Sequence, residues 1–205
     1  MADYLFEENQ GSEVPKFEDI MDTLKEIYSY NKNGENYSDY ECLVTGHSLG
    51  GSLAQLLTFT LAGSPQADFI PKPIIGITYA SPVVGTKRFL EVTQELERAN
   101  KLRHIRVSNH RDVVPGSPIT GGYTQTGVNI HLKKGKKPEV GYRNTKTFYR
   151  LLRLTFPSYH FLESGDNSYF SQVFAKDKNG EFLLKDVFDM SVQDLYTKYA
   201  GDCSR

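Results

Sequence analysis

The chain has 205 residues, with 24 lysines and arginines against 25 aspartates and glutamates, a formal net charge of −1. That length supports one domain with a real core and is short for two, and the balanced charge gives no footing to a nucleic-acid partner. No run of 18 apolar residues occurs, which excludes an ordinary transmembrane helix.

In chain order, residues 1–14 read as loose and polar. The acidic opening MADYLFEENQGSEV lacks the pattern of a secretory leader, so a cytoplasmic setting is the default expectation if Met1 is the true start. Phe17, Ile20, Met21, Leu24, Ile27 and Tyr28 then fall at helical spacing behind Pro15, and residues 31–39 carry turn chemistry. Residues 40–45 predict a buried strand. Leu49, Leu53, Leu56, Leu57 and Leu61 predict the helix after it, closed by Gly63 and Pro65. A second strand over 73–79, a helix through Phe89, Val92, Leu96 and Ala99, and a third strand over 102–108 follow. A fourth strand is expected over 124–132. The run Lys133-Lys134-Gly135-Lys136-Lys137 reads as a solvated turn, and residues 146–156 as a helix. Lys178-Asn179-Gly180 signals a hairpin within 173–184, and Ser191 to Asp194 a capping box opening a last helix.

Strand alternating with helix is the signature of a mostly parallel sheet with helices on both faces, an α/β class. The runs Leu43-Val44, Ile74 to Ile77 and Ile105 to Val107 fit strands buried on both faces. The expectation is one domain over 1–205, its core at about 15–170, with a hairpin and helix extension over 171–205. Cys42 packs as a small hydrophobe and Cys203 lies near the C-terminus, so no disulfide framework is expected.

Gly46-His47-Ser48-Leu49-Gly50 is the motif that carries chemistry. A GxSxG alone arises by chance in roughly 7% of chains this long. Here a strand precedes it and a helix follows, the context of a nucleophile elbow. Side chains two positions either side of the serine would collide in so sharp a turn, which calls for glycine at 46 and 50. The turn lifts the hydroxyl clear of the sheet at a helix N-terminus, and the Leu49 N–H is placed to face an oxyanion.

A serine hydroxyl needs a histidine to take its proton and a carboxylate to orient that histidine. In such sheets the acid follows the serine, just past a strand, and the histidine follows the acid. Asp112, four residues beyond Ser108, satisfies this; Asp68 follows a helix and fits less well. Of five histidines, His47 should point away from its neighbour, His104 lies within a strand and His110 precedes the acid. His160, in a loop after the acid, is the first choice for the base, with His131 as the fallback.

These residues bring a family into view. Val44-Thr45-Gly46-His47-Ser48-Leu49-Gly50-Gly51, Tyr79-Ala80-Ser81-Pro82-Val83-Val84-Gly85 and Arg106 to Pro115 resemble the class 3 lipases, the fungal-lipase-like branch of the α/β-hydrolases. The resemblance implies an α/β-hydrolase fold with nucleophile Ser48, acid Asp112 and base His160. It implies hydrolysis of carboxylic esters, with acylglycerols or other lipids as substrates and no cofactor or metal. It also implies early strands, a lid and a loop donating a second oxyanion N–H, none of which residues 1–40 resemble. The expectation is therefore a partial domain with residues 40–45 as an exposed edge strand, open to self-association. The alternative is a truncated or degenerate relative serving as a non-catalytic binding module.

Overall fold

The structure, a computed structural model, describes residues 2–7, 14–32, 35–118, 121–142, 159–163 and 165–200. The predicted helix over 146–156 and Cys203 lie outside these.

The N-terminus departs from its reading as loose. Ala2–Phe6 forms a short helix, α1, because Leu5 buries and the Phe6 ring packs 5.3 Å from Phe17. Helix α2, Lys16–Ser29, begins after Pro15 as its spacing predicts. Asn31–Lys32 (β1) and Glu35–Asn36 (β2) make a minimal hairpin. Strand β3, Leu43–His47, leads into α3, Leu49–Gly63, then β4, Ile74–Tyr79. Gly85–Thr86 (β5) precedes α4, Lys87–Arg98, and β6, Leu102–Asn109. Tyr123–Thr124 (β7) pairs back onto β5, so the predicted strand over 124–132 divides, and its main part is β8, Val128–Lys133.

The main sheet has the order β3-β4-β6-β8-β9, with the first four strands parallel. The last, β9, Lys136–Tyr142, is antiparallel and went unpredicted. Its first lysines, Lys136 and Lys137, read as part of a turn, yet lysine and the following Pro138 suit an edge strand, where one side needs no hydrogen-bond partner. At the other edge, β3 pairs only with β4 among the described residues. Leu43 is consequently 57% exposed, against the expectation that its run is buried on both faces.

Helices cover both faces. Helix α3 packs on one, with Leu61, Ala62, Ile74 and Leu102 joined by Met21 and Cys42 from the α2 side. The other face carries Ile105, Val107, Val128 and Ile130 beneath the C-terminal segment. That segment is more helical than a hairpin and one helix: Tyr169–Val173 (α5), Lys185–Phe188 (α6) and Val192–Tyr199 (α7) supply Tyr169, Leu184, Leu195 and Tyr196 to the same cluster. The hairpin signal survives as a single bridge between Lys176 and Phe182, and Ser191 caps α7 by accepting from Asp194 N–H.

A polar clasp ties α7 to the sheet. The Tyr196 hydroxyl accepts from His104 N–H at 2.6 Å and lies 2.7 Å from the His104 carbonyl and 2.8 Å from Glu97 Oε1. One hydroxyl proton cannot serve both acceptors. A protonated Glu97 resolves the conflict by donating to Tyr196 itself. Burial pushes the Glu97 carboxyl from 4.5 up to about 7, although the Tyr142 and Tyr196 hydroxyls and the charge of Arg103 pull it down. A raised folded value means the fold holds a proton that the unfolded chain releases. The stabilisation is complete below about pH 4.5 and lost as pH rises through 7, a span of about 3 kcal/mol. Denaturant titration of Glu97→Gln at pH 5 and pH 8 should show a smaller loss of stability than the parent by about 2.5 kcal/mol, because part of the span is already lost at pH 5; parallel losses in both proteins would refute the assignment.

Candidate functional site

The site forms where the parallel strands end. Ser48 sits between β3 and α3 with φ 56° and ψ −125°, a conformation that costs a non-glycine residue about 1–3 kcal/mol. Backbone hydrogen bonds over-determine it: Ser48 N–H donates to the Tyr79 carbonyl at 2.9 Å, and Gly51 N–H donates to the Ser48 carbonyl at 3.0 Å. The glycine requirement is only half as expected. A Cβ at Gly46 would overlap the Gly50 carbonyl oxygen and lie 2.9 Å from Gly51 N, whereas one at Gly50 would meet nothing within 4 Å. The second constrained position is Gly51, where a Cβ would lie 2.9 Å from Ser81 Cβ. Leu49 opens α3, so its N–H has no intrahelical acceptor and can serve a ligand oxygen. Its side chain is 58% exposed.

The structure brings Ser48, His160 and Asp112 together. His160 Nε2 lies 2.9 Å from Ser48 Oγ, and His160 Nδ1 lies 3.0 Å from Asp112 Oδ2. With Nδ1 against a carboxylate, that nitrogen carries the ring proton, and Nε2 accepts from the serine hydroxyl. Asp112 is 2% exposed and fully partnered: Oδ1 accepts from Val114 N–H at 3.0 Å, and Oδ2 from the Tyr169 hydroxyl at 2.7 Å as well as from His160. A serine whose proton has an acceptor, a base whose tautomer is fixed and a buried acid can together attack an electrophilic carbonyl.

The remaining candidates fall elsewhere. His131 is buried with Nδ1 2.9 Å from Ser108 Oγ and its ring against His110. His104 is buried between Thr78 and Thr126, and burial, reinforced by the charge of Arg106, pushes it down to about 3, so it stays neutral. Asp68 follows the short 3-10 turn Pro65–Ala67, beyond the far end of α3 from Ser48.

Two supporting residues escaped the sequence reading. His47 does not simply point away: its Nε2 donates to the His160 backbone carbonyl at 2.7 Å, holding the main chain of the residue whose ring faces Ser48. Tyr169 accepts from Asn109 N–H at 2.9 Å while donating to Asp112, which locks the acid loop to α5. The adjacency of His47 to the nucleophile was a signal for the first; nothing local in the sequence marks the second.

The model of the lipase (class 3) family matches residues 16–121. Over 106 residues the chain is 37% identical to phospholipase A1-Igamma2, chloroplastic, of Arabidopsis thaliana, covering 49% of this chain and 19% of that protein. Over 129 residues it is 30% identical to phospholipase A1-II 4 of Oryza sativa subsp. japonica, covering 62% and 30%. The chain thus spans less than a third of the length of these curated relatives. Among solved structures, lipase II from Rhizopus niveus superposes with a TM-score of 0.50 at 23% identity over 71% of this chain and 51% of that one, a likeness of fold.

Proposed function

The chain belongs to the class 3 lipase family, and from that premise we propose that it hydrolyses acyl esters of lipids through an acyl-enzyme on Ser48. The observation that carries this reading is the continuous path from Ser48 Oγ through His160 to Asp112, at 2.9 and 3.0 Å. Ser48 Oγ attacks the ester carbonyl carbon as its proton passes to His160 Nε2. Asp112 stabilises the imidazolium that results, and its Val114 and Tyr169 bonds keep the carboxylate in place. The Leu49 N–H meets the oxyanion; a donor of this kind contributes about 2.7–4 kcal/mol to the transition state. The tetrahedral species collapses, His160 returns the proton to the departing alcohol, and water, activated by the same imidazole, releases the acid from Ser48.

The relatives named as phospholipases A1 favour phospholipid esters over other acylglycerols as the substrate. The test is pre-steady-state. With a short p-nitrophenyl ester, the 205-residue chain should release a burst of p-nitrophenol approaching one equivalent of protein, followed by slower turnover. Release at the rate of the uncatalysed ester, with no labelling of Ser48 by a fluorophosphonate, would remove the catalytic reading and leave only kinship of fold.

A further inference from the structure

The chain's charge is balanced in total but not in distribution. Residues 131–160 carry eight lysines and arginines and a single carboxylate, Glu139, so the rest of the chain is net acidic. The structure folds part of this stretch into a concave feature. Lys133, Lys134 and Lys136 from the β8–β9 turn face His110 and Arg111 from the loop before Asp112, with Tyr159 between them, around a cleft of about 330 Å³. What the sequence reads as a solvated turn is therefore one wall of a cationic cleft. Lys133 in that wall forms an ion pair with Glu139. Lys134 reaches a neutral partner, Asn167 Oδ1, at 3.0 Å, and the Arg111 guanidinium lies 5.7 Å from the centre of the Tyr159 ring.

Position gives the cleft meaning. Tyr159 immediately precedes His160, and Arg111 immediately precedes Asp112. The cleft thus opens at the same end of the sheet as Ser48. Two to three strand spacings separate β3 from β6 and β8, about 10–15 Å. That is beside a reacting ester rather than on it. Exposed apolar side chains follow Tyr159 on the chain: Phe161 and Leu162 are 48% and 39% exposed, and Phe170, 56% exposed, bonds the Leu162 carbonyl through its N–H at 2.8 Å. A cationic recess flanked by exposed apolar groups is the composition that lies on a lipid surface bearing anionic headgroups.

We propose that this cleft binds the phosphate headgroups of an anionic lipid surface, holding the Ser48 end of the sheet against the layer that contains the substrate. The choice of a lipid surface rests on the hydrolase reading above; the choice of phosphate rests on the charge. In a sedimentation assay, the chain should partition more strongly onto vesicles of equal parts phosphatidylcholine and phosphatidylglycerol than onto phosphatidylcholine alone, and salt should erase the difference as screening shortens. Lys134 and Lys136 are exposed and outside the triad. Neutralising both, as Lys134→Ala/Lys136→Ala, should weaken binding to the anionic vesicles about 30-fold, with hydrolysis of a soluble short-chain ester and the unfolding midpoint unchanged. Equal partitioning of the parent between the two vesicles would overturn the proposal without recourse to any variant. So would an undiminished preference in the double variant. Inorganic phosphate should displace the chain no better than chloride at equal ionic strength; specific displacement would assign the cleft to a soluble phosphate instead. Because binding is read without turnover, a chain that binds anionic vesicles but cleaves no ester would sink the hydrolase reading and leave the cleft, and an active chain indifferent to lipid charge would do the reverse.

Discussion

Ser48→Ala should leave a folded chain whose ester hydrolysis falls about 10⁴–10⁶-fold and which no longer takes up a fluorophosphonate label. The size of the loss follows from interdependence. His160 has no proton to accept once the hydroxyl is gone, and Asp112 then orients a ring with no task. What remains is binding and the Leu49 N–H, which support only a residual rate over water. Folding should tolerate the change and even gain slightly. Ser48 is half-buried, bonds the Tyr79 carbonyl through its main chain, and is held at φ 56° by its neighbours rather than by its hydroxyl. Intact-mass analysis after exposure to the probe, beside the steady-state rate, checks both halves. Undiminished turnover would move the nucleophile elsewhere in the chain.

Gly46→Ala is the second large effect, and it acts through backbone alone. The added methyl group would overlap the Gly50 carbonyl oxygen and lie 2.9 Å from Gly51 N, atoms of the first turn of α3 that no rotamer can move aside. The turn must open, at a cost of about 4 kcal/mol, and opening it withdraws Ser48 Oγ from His160. Stability and labelling should fall together, read as the denaturation midpoint and the extent of fluorophosphonate uptake. The matched substitution Gly50→Ala is the control, because a Cβ there meets nothing. Comparable damage from both would mean that the elbow is limited by something other than this contact.

That contrast shows where the sequence was legible and where it was not. That Ser48, Asp112 and His160 meet could be anticipated because each follows a strand or lies in a loop, in an order that the α/β arrangement imposes on the chain. The parallel strands announce themselves by continuous apolar runs, since burial on both faces leaves no polar alternation to read. Strand β9 hid because an edge strand tolerates the lysines and proline that elsewhere mark a turn. Strand β3 reads two ways: its apolar run looks like core, whereas the absence of early strands makes it an edge, and Leu43 at 57% exposed, with β3 paired only to β4 among the described residues, sides with the edge. Gly50 looked obligatory, yet a Cβ there meets nothing, while Gly51, whose lack of a side chain keeps the first helical turn thin, is the constrained one because Ser81 lies against it across a chain separation that pattern cannot span. Tyr169 was invisible for the same reason. Its hydroxyl matters through Asn109 and Asp112, whose positions only the folded loops reveal.

The bond from His47 to the His160 carbonyl has a mechanical consequence. Proton transfer across 2.9 Å is acutely sensitive to separation, and the two partners belong to segments 112 positions apart. Each would otherwise fluctuate with its own loop. By gripping the peptide that bears the imidazole from the residue next to the serine, His47 makes donor and acceptor ride on one another, so thermal drift displaces the pair jointly instead of stretching the gap between them.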